Sequence, residues 1–431
     1  MKSLYLKDGI VVDPANSKLD KKNLFIKNGR IDDVGSNEEN VNNDTEIISL
    51  KGKYIVPGLI DLRCHVKQPG INFKESIDAV SKKALSGGFT SVLAMPSLSS
   101  MADNPETLNY VRETVLQKKH VKIYLSGCLT LNSRGEHLAP LGSLKEAGIV
   151  AVTDSPNSPQ NNQIYCKAVE YASMFNLPIF DLPRDLSLSP DASAHESLMS
   201  LKMGLKGYPR MAEELFVQRA IMVSKYTKAR IHLTSISSGG SVELIRKAKE
   251  DNIDITCDVT SNHLFNTESG VEEFDSFSKA LPPFREEEDR QKLIEGILDN
   301  TIDAISSGHQ PFNIDDKNQE YDKAPMGTLG LENAFLQSIA IVNENHGLGL
   351  IKVVQKMSYN PSRILGINNN TLNKNDVADF FIYDPNDNTT ITRAIQGNEG
   401  CNLPFKEKVF NGKILNTYIK GDCLYKYRND F

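Results

Sequence analysis

Ionisable side chains stand close together at the end of the apolar run Leu59–Leu62. They are those of Asp61, Arg63, His65 and Lys67. A carboxylate and an imidazole suit a catalytic divalent metal, but such a metal needs roughly three or more protein ligands. Arg63 opposes a metal, because its guanidinium keeps its charge in proteins and repels a cation. We expect Arg63 to act instead as the counter-ion of Asp61 or Asp154, since a buried unpaired carboxylate is costly.

Eight short apolar runs, each followed by a longer stretch with helical spacing, must position these groups. The runs are 59–62, 90–94, 121–125, 148–153, 178–182, 230–233, 253–259 and 301–305. Alternating strands and helices require parallel pairing, and eight such units close a barrel. The sequence therefore predicts an α/β protein with a (β/α)8 TIM barrel over residues 55–365, whose chemistry lies at the C-terminal ends of the strands.

The two ends of the chain are strand-like and differ from the centre. Residues 1–54 alternate short apolar runs with turn signals, and residues 376–383 return to a strand pattern. We predict that residues 1–54 and 366–431 combine into one small β domain beside the barrel.

Composition excludes several classes of partner. The 431 residues contain 49 Lys and Arg against 55 Asp and Glu, with a net charge of -6, and no basic block that would bind nucleic acid. No apolar run approaches the roughly 20 residues that cross a bilayer, and no signal peptide is evident. Six widely spaced cysteines suggest reduced thiols. We expect a cytoplasmic protein without membrane or nucleic-acid partners.

The segment after the first run resembles dihydroorotases and related cyclic amidohydrolases of the amidohydrolase superfamily. Residues 56–70 follow the family pattern P-G-x-[IL]-D-x-H-x-H-x-R-x-P-G, with Arg63 at the first histidine and Lys67 at the arginine. Residues 87–96 are similar to G-G-[FV]-T-[TS]-V-x-x-M-P-N-T, with Ser97 at the asparagine. Further similar segments are 204–209, 279–285 and 327–333. The resemblance implies a barrel of the amidohydrolase type.

The resemblance also implies a zinc site. At several positions where the family has metal ligands, this chain has other residues. The family holds its metal with H-x-H after strand 1, a carboxylate or modified lysine after strand 4, histidines after strands 5 and 6, and a catalytic aspartate after strand 8. In this chain the last three positions are Leu182, Ser235 and Gly308. His65 and Asp154 are the ligand residues that remain. The resemblance therefore predicts no bound metal, no other cofactor and no catalytic residue, with Gly308 at the position of the catalytic aspartate.

A remnant pocket is predicted from the residues that the resemblance and the strand ends place at the barrel mouth. Its members are Asp61, Arg63, His65, Lys67, Ser97, Asp154, His232, Ser235, His263, His309 and Phe312. Taken singly, the histidines are most simply hydrogen-bonded core residues. The charged run 286–289 is most simply a solvated helix face.

These replacements favour a non-catalytic dihydroorotase-like protein of pyrimidine biosynthesis. The resemblance implies a binding or structural role, for example as a partner of aspartate carbamoyltransferase, and we expect a homo-oligomer. The alternative is an active dihydroorotase or cyclic amidohydrolase that hydrolyses a cyclic amide C–N bond with a reorganised site. A metal-free hydrolase using Asp154, His65 and His309 has no nucleophile and base at a recognisable spacing to support it.

Overall fold

The structure is a computed structural model and describes residues 3–35, 44–67, 75–96, 101–116, 120–346, 349–367, 371–393 and 400–427. The strands of this part are β1 (Ser3–Asp13), β2 (Lys18–Lys27), β3 (Arg30–Val34), β4 (Thr45–Ser49), β5 (Tyr54–Pro57), β6 (Leu59–Cys64), β7 (Phe89–Ala94), β8 (Lys122–Gly127), β9 (Ala151–Val152), β10 (Ile179–Asp181), β11 (Ala194–His195), β12 (Gly207–Tyr208), β13 (Ile231–Leu233), β14 (Ile255–Thr260), β15 (Ala304–Ser306), β16 (Phe380–Thr392), β17 (Glu407–Ile419) and β18 (Asp422–Lys426).

The α-helices of the same ranges alternate with the central strands and extend beyond them. They are α1 (Ile77–Ser86), α2 (Pro105–Leu116), α3 (Leu141–Glu146), α4 (Asn162–Ser173), α5 (Leu198–Lys202), α6 (Arg210–Thr227), α7 (Gly239–Glu250), α8 (Ser261–Phe265), α9 (Glu287–Leu298), α10 (Ile314–Lys317), α11 (Ala334–His346), α12 (Gly349–Val354) and α13 (Asn360–Leu365). A π-helical turn at Gln355–Tyr359 joins the last two.

Eight parallel strands form the barrel in the order β15-β14-β13-β10-β9-β8-β7-β6. A parallel bridge between Cys64 and His309 brings the first and last strands together, and the His65 N–H donates to the His309 carbonyl at 2.8 Å. Every residue of β6 and β7 is buried, as expected for parallel strands covered on both faces. The predicted (β/α)8 barrel is confirmed, and each of the eight apolar runs overlaps one of its strands.

Both ends of the chain contribute to a second sheet. Its order is β18-β17-β16-β5-β1-β2-β3, with β4 paired to β1. The antiparallel pairing of β16 with β5 joins the C-terminal strands to the N-terminal ones. A β domain made from both ends is therefore confirmed, while the boundaries at residues 54 and 366 stay predictions.

Side-chain caps begin several of the barrel helices. Ser76 accepts a hydrogen bond from the Ala79 N–H at the start of α1, and Asn161 and Ser238 cap α4 and α7 in the same way. Within the described ranges, no helix combines the length and the apolar character that a membrane span requires.

Candidate functional site at the barrel mouth

Arg63 lies inside the barrel mouth at the end of β6, with 1% of its surface exposed. Its Nη1 donates to the Ser235 Oγ at 2.8 Å and to the Leu281 carbonyl at 3.1 Å. Burial lowers the pKa of Arg63 to about 10, so the guanidinium is charged at neutral pH. The expected direct pairing with Asp61 or Asp154 is wrong, because both carboxylates take their hydrogen bonds from other groups.

Asp61 lies two residues before Arg63 and therefore on the same face of β6. It accepts hydrogen bonds from the N–H and the Oγ of Ser307, at 2.7 and 2.6 Å. Burial raises the pKa of Asp61 to about 7, against the effect of the bonds from Ser307. Ser307, just after the last barrel strand, thus holds the carboxyl group, which also interacts with the backbone N–H of Arg63 and with the charge of its guanidinium.

Asp258 is a buried carboxylate of the barrel that sequence reasoning missed. It bonds the His232 Nε2 at 2.9 Å, the Ser235 N–H at 3.0 Å and the Ser306 Oγ at 2.7 Å. Burial alone would raise its pKa, but the bond from His232 and the other donors lower it. Its sequence signal was an acidic residue next to the end of the apolar run 253–259, which also contains Asp254.

Asp154, the predicted metal ligand after strand 4, is hydrogen-bonded to residues of a neighbouring loop. It accepts hydrogen bonds from the N–H groups of Leu129 and Thr130, at 3.0 and 2.9 Å, and from the Thr130 hydroxyl. Burial raises its pKa to about 6. Asp154 therefore orders the loop after β8.

The predicted histidines are buried, and most have identified partners. His263 bonds the Pro282 carbonyl at 2.9 Å and the Thr260 Oγ1 at 2.6 Å, and His309 bonds the Glu75 carboxylate at 2.6 Å. Burial lowers the pKa of His263 to about 4, and lowers the pKa of His65 well below its usual value. His263 and His65 are therefore neutral at neutral pH, and His309 is hydrogen-bonded to Glu75.

The remaining predicted positions are at the rim of the barrel or outside the described residues. Ser97 lies outside them, and Lys67 is the last described residue before a gap. Phe312 is half-buried and donates its N–H to the Asn402 side chain at 2.8 Å. Gly308 has a φ of +62°, and a Cβ added there would lie 2.6 Å from the Thr260 methyl carbon. An aspartate at position 308 would therefore require the backbone to change.

A second group of ligand-type side chains lies beyond the mouth, and sequence reasoning missed it. His195, Glu286 and Asp289 each offer one nitrogen or oxygen atom, and these atoms lie within 4.8 Å of one another. The Nε2 of His195 is buried and has no hydrogen-bond partner, while its Nδ1 lies 3.0 Å from Nη1 of Arg285. Burial lowers the pKa of His195 to about 4, so the ring is neutral at neutral pH, and its Nδ1 accepts the hydrogen bond from Arg285.

Arg210 already pairs with both carboxylates of this group. Its Nε and Nη2 donate to Asp289 at 2.9 and 2.7 Å, and Nη2 also donates to Glu286 at 2.5 Å. The interpretation of 286–289 as a solvated helix face was therefore incomplete. Asp289 is buried, and its interaction with Arg210 joins α6 to the start of α9.

Comparisons with known proteins agree with this fold and with the barrel motifs. A family model described as dihydro-orotase-like matches residues 52–241, and one for the amidohydrolase family matches residues 185–424. Dihydroorotase of Acetivibrio thermocellus is 34% identical over 98% of this chain and 99% of its own. Dihydroorotase of Pelotomaculum thermopropionicum is 36% identical over 99% of both chains.

Solved structures show the same fold at lower identity. L-hydantoinase (dihydropyrimidinase) from Arthrobacter aurescens superposes with a TM-score of 0.87 at 19% identity, covering 99% of this chain and 96% of its own. D-hydantoinase (dihydropyrimidinase) from Thermus sp. gives 0.83 at 18% identity, with 98% and 95% covered. These structures share the barrel and the β domain built from both chain ends. This chain belongs to the amidohydrolase family, in its dihydroorotase-like branch.

Membership of this family corrects the prediction that no metal cofactor is used. Dihydroorotases of the amidohydrolase family depend on zinc, and a side-chain group that could hold a metal is present in this chain. The position of Arg63 does not fit an ion, because a buried guanidinium occupies it. His195, Glu286 and Asp289 fit better as one imidazole and two carboxylates, provided that Arg210 releases them. A divalent ion held there would polarise a carbonyl or activate a water molecule.

Proposed function

We propose that this protein acts on a carboxylate-bearing cyclic amide of the dihydroorotate class, hydrolysing a ring C–N bond with a reorganised site at the barrel mouth. The observation that carries the proposal is the similarity to proteins named dihydroorotase, at 34 and 36% identity over 98–99% of this chain. Similarity of this extent includes the barrel and both parts of the β domain, so the proposal does not depend on a single motif.

Two buried carboxyl groups support turnover. Burial raises the pKa of Asp61 to about 7 and that of Asp154 to about 6. General acid–base catalysis is most effective when the pKa of the group lies near the working pH. Both groups are also hydrogen-bonded within the barrel, Asp61 by Ser307 and Asp154 by Thr130.

The direct test is to assay hydrolysis of dihydroorotate and closure of N-carbamoyl-aspartate, with zinc supplied and after chelation. We expect turnover that falls at least tenfold in Arg63→Gln. The control variant is Arg230→Gln, because Arg230 lines a cavity together with Pro178 and Asp254, residues just before β10 and β14, at the opposite end of the barrel. Turnover that is absent from the wild type, both with zinc supplied and after chelation, would contradict the proposal.

A second candidate function is a non-catalytic binding subunit. The Arg63–Ser235 hydrogen bond favours it, because the resemblance gives both positions to metal-binding histidines. The positive φ of Gly308 at the position of the catalytic aspartate points the same way. For this function we expect a homo-oligomer that co-elutes with aspartate carbamoyltransferase in size-exclusion chromatography. A monomer that elutes separately from that enzyme would contradict it.

A further inference from the structure

One edge of the Arg63 guanidinium has no hydrogen-bond partner. Both N–H groups of its Nη1 donate hydrogen bonds, one to Ser235 and one to the Leu281 carbonyl. Nε and Nη2 are buried and make no hydrogen bond within the described part of the chain. An unpaired buried donor costs free energy, and more when it is charged. Two such donors on one side chain indicate that something other than the described residues completes this site.

The two free donors lie along the same edge of the planar guanidinium group. Nε–H and the adjacent Nη2–H of an arginine point in parallel, and this edge matches the two oxygens of a carboxylate. A single carbonyl oxygen or a hydroxyl would satisfy one donor at most. The free edge therefore selects a planar anion with two oxygens.

The nearest carboxylates of the chain do not fill this role. Asp61 bonds Ser307, and Asp258 bonds His232, Ser235 and Ser306. Asp61 and Asp258 stabilise the charge of Arg63 from a distance, but neither forms an ion pair within 4 Å of it among the described residues. The guanidinium therefore keeps its charge, and its Nε and Nη2 donors stay unpaired among the described residues.

The geometry points to a carboxylate-binding site on the Nε and Nη2 edge of Arg63, taken by the carboxylate of a small cyclic amide acid. This inference rests on the proposed function, which it deepens by assigning the group that selects the substrate. The resemblance gives position 63 to a metal ligand. The inferred site is therefore a different one, inside the barrel.

A pair of ligands that differ only in the carboxylate tests the inference. Dihydroorotate carries it, and dihydrouracil has the same ring without it. Titration calorimetry of the full chain is expected to give an affinity for dihydroorotate at least tenfold above that for dihydrouracil, in line with charge-assisted hydrogen bonds. Equal affinities, or no binding of dihydroorotate, would overturn the inference.

Variants of Arg63 test whether the preference for dihydroorotate over dihydrouracil depends on the Nε and Nη2 donors. Arg63→Gln is expected to abolish the preference, and Arg63→Lys to reduce it, because lysine keeps the charge without the paired donors. Arg230→Gln, at the opposite end of the barrel, is the control and is expected to keep the preference. A preference that survives in Arg63→Gln, or disappears equally in Arg230→Gln, would overturn the inference. If Arg63→Gln does not fold, Arg63→Lys and the ligand pair decide the question.

Binding and turnover separate the two proposals. A chain that prefers dihydroorotate but hydrolyses neither ring supports the carboxylate site and contradicts the hydrolase. A chain that hydrolyses both rings equally supports cyclic amide hydrolysis and overturns the carboxylate site. Binding is measured with chelated protein, so that ring opening does not contribute heat.

Discussion

Arg63 and Ser235 are joined by a hydrogen bond of 2.8 Å from Nη1 to Oγ, inside the barrel mouth. The two residues are 172 positions apart, one at the end of β6 and the other just after β13. Both are buried, and the Ser235 N–H donates to Asp258. The bond therefore connects a fixed positive charge to the carboxylate network on the other side of the barrel.

Ser235→Ala removes the acceptor of this bond. Nη1 of Arg63 then retains only the Leu281 carbonyl, and a charged buried donor loses a partner. We expect the free energy of unfolding to fall by about 1–3 kcal/mol, measured by chemical denaturation. Ser173→Ala is the control, because that serine is exposed on α4, and we expect a change within about 0.5 kcal/mol. An equal, small effect of both substitutions would contradict the prediction.

Glu213→Gln tests the buried ion pair with Arg285. The Glu213 carboxylate accepts the N–H groups of Ser237 and Ser238, both at 2.9 Å, and lies 3.3 Å from Arg285. Neutralising one partner leaves a buried charge unpaired, so we expect a loss of about 3–5 kcal/mol of stability. The neighbouring variant Glu214→Gln is expected to cost much less, because Glu214 is only partly buried. Equal losses in the two variants would count against this account.

Zinc is expected to bind the group formed by His195, Glu286 and Asp289 in competition with Arg210. In chelator-treated protein, added zinc should raise the melting temperature, with about 2.7 kcal/mol of stabilisation at a hundredfold excess over Kd. Arg210→Met should bind zinc more tightly, because it frees both carboxylates. Differential scanning fluorimetry and elemental analysis measure the two effects.

His195→Ala provides the decisive variant for this zinc prediction. It removes the single nitrogen ligand and leaves Arg210 and both carboxylates in place. We expect its melting temperature to be insensitive to zinc. A zinc-induced shift that matches the wild type, or a weaker one in Arg210→Met than in wild type, would show that the ion binds elsewhere.

Lys317 makes stability depend on pH at neutral and alkaline values. Its ammonium group is buried and donates to the carbonyls of Ser276 and Pro325, and burial lowers its pKa to about 7. Between about pH 7 and 10.5 the unfolded chain binds one more proton at this site than the folded chain. The contribution of Lys317 to the free energy of unfolding therefore rises with pH in this window, by up to about 1.4 kcal/mol per unit.

The measurement compares wild type with Lys317→Met at pH 6.5 and 8.5 by denaturant titration. The wild type should gain stability relative to the variant at the higher pH. Lys202→Met, at an exposed position of α5, is expected to show no such difference. A constant gap between wild type and Lys317→Met across this range would contradict the prediction.

Periodicity made most of the fold predictable. Each of the eight runs is a local signal of strand, and the alternation with helices leaves few topologies that bury both faces of a parallel sheet. The pairing of β16 with β5 was also within reach, because both chain ends were strand-like beside a complete barrel. These features depend on residues that are close in sequence or on general rules of packing.

The partners inside the site were not predictable in the same way. Arg63 was expected to pair with Asp61 or Asp154, yet it bonds Ser235 and Leu281. The group of His195, Glu286 and Asp289 joins residues about 90 positions apart. No local pattern in the sequence indicates that side chains so far apart along the chain are in contact.

By itself the sequence determines the barrel, the β domain and the replacement of histidine by Arg63 at the mouth, because strand periodicity and residue identity are local properties. Only the tertiary structure decides which donors each buried carboxylate accepts, and which edge of Arg63 stays free. The reason is that these choices depend on distances of a few tenths of an ångström between strands. Barrel closure sets those distances for all eight strands at once.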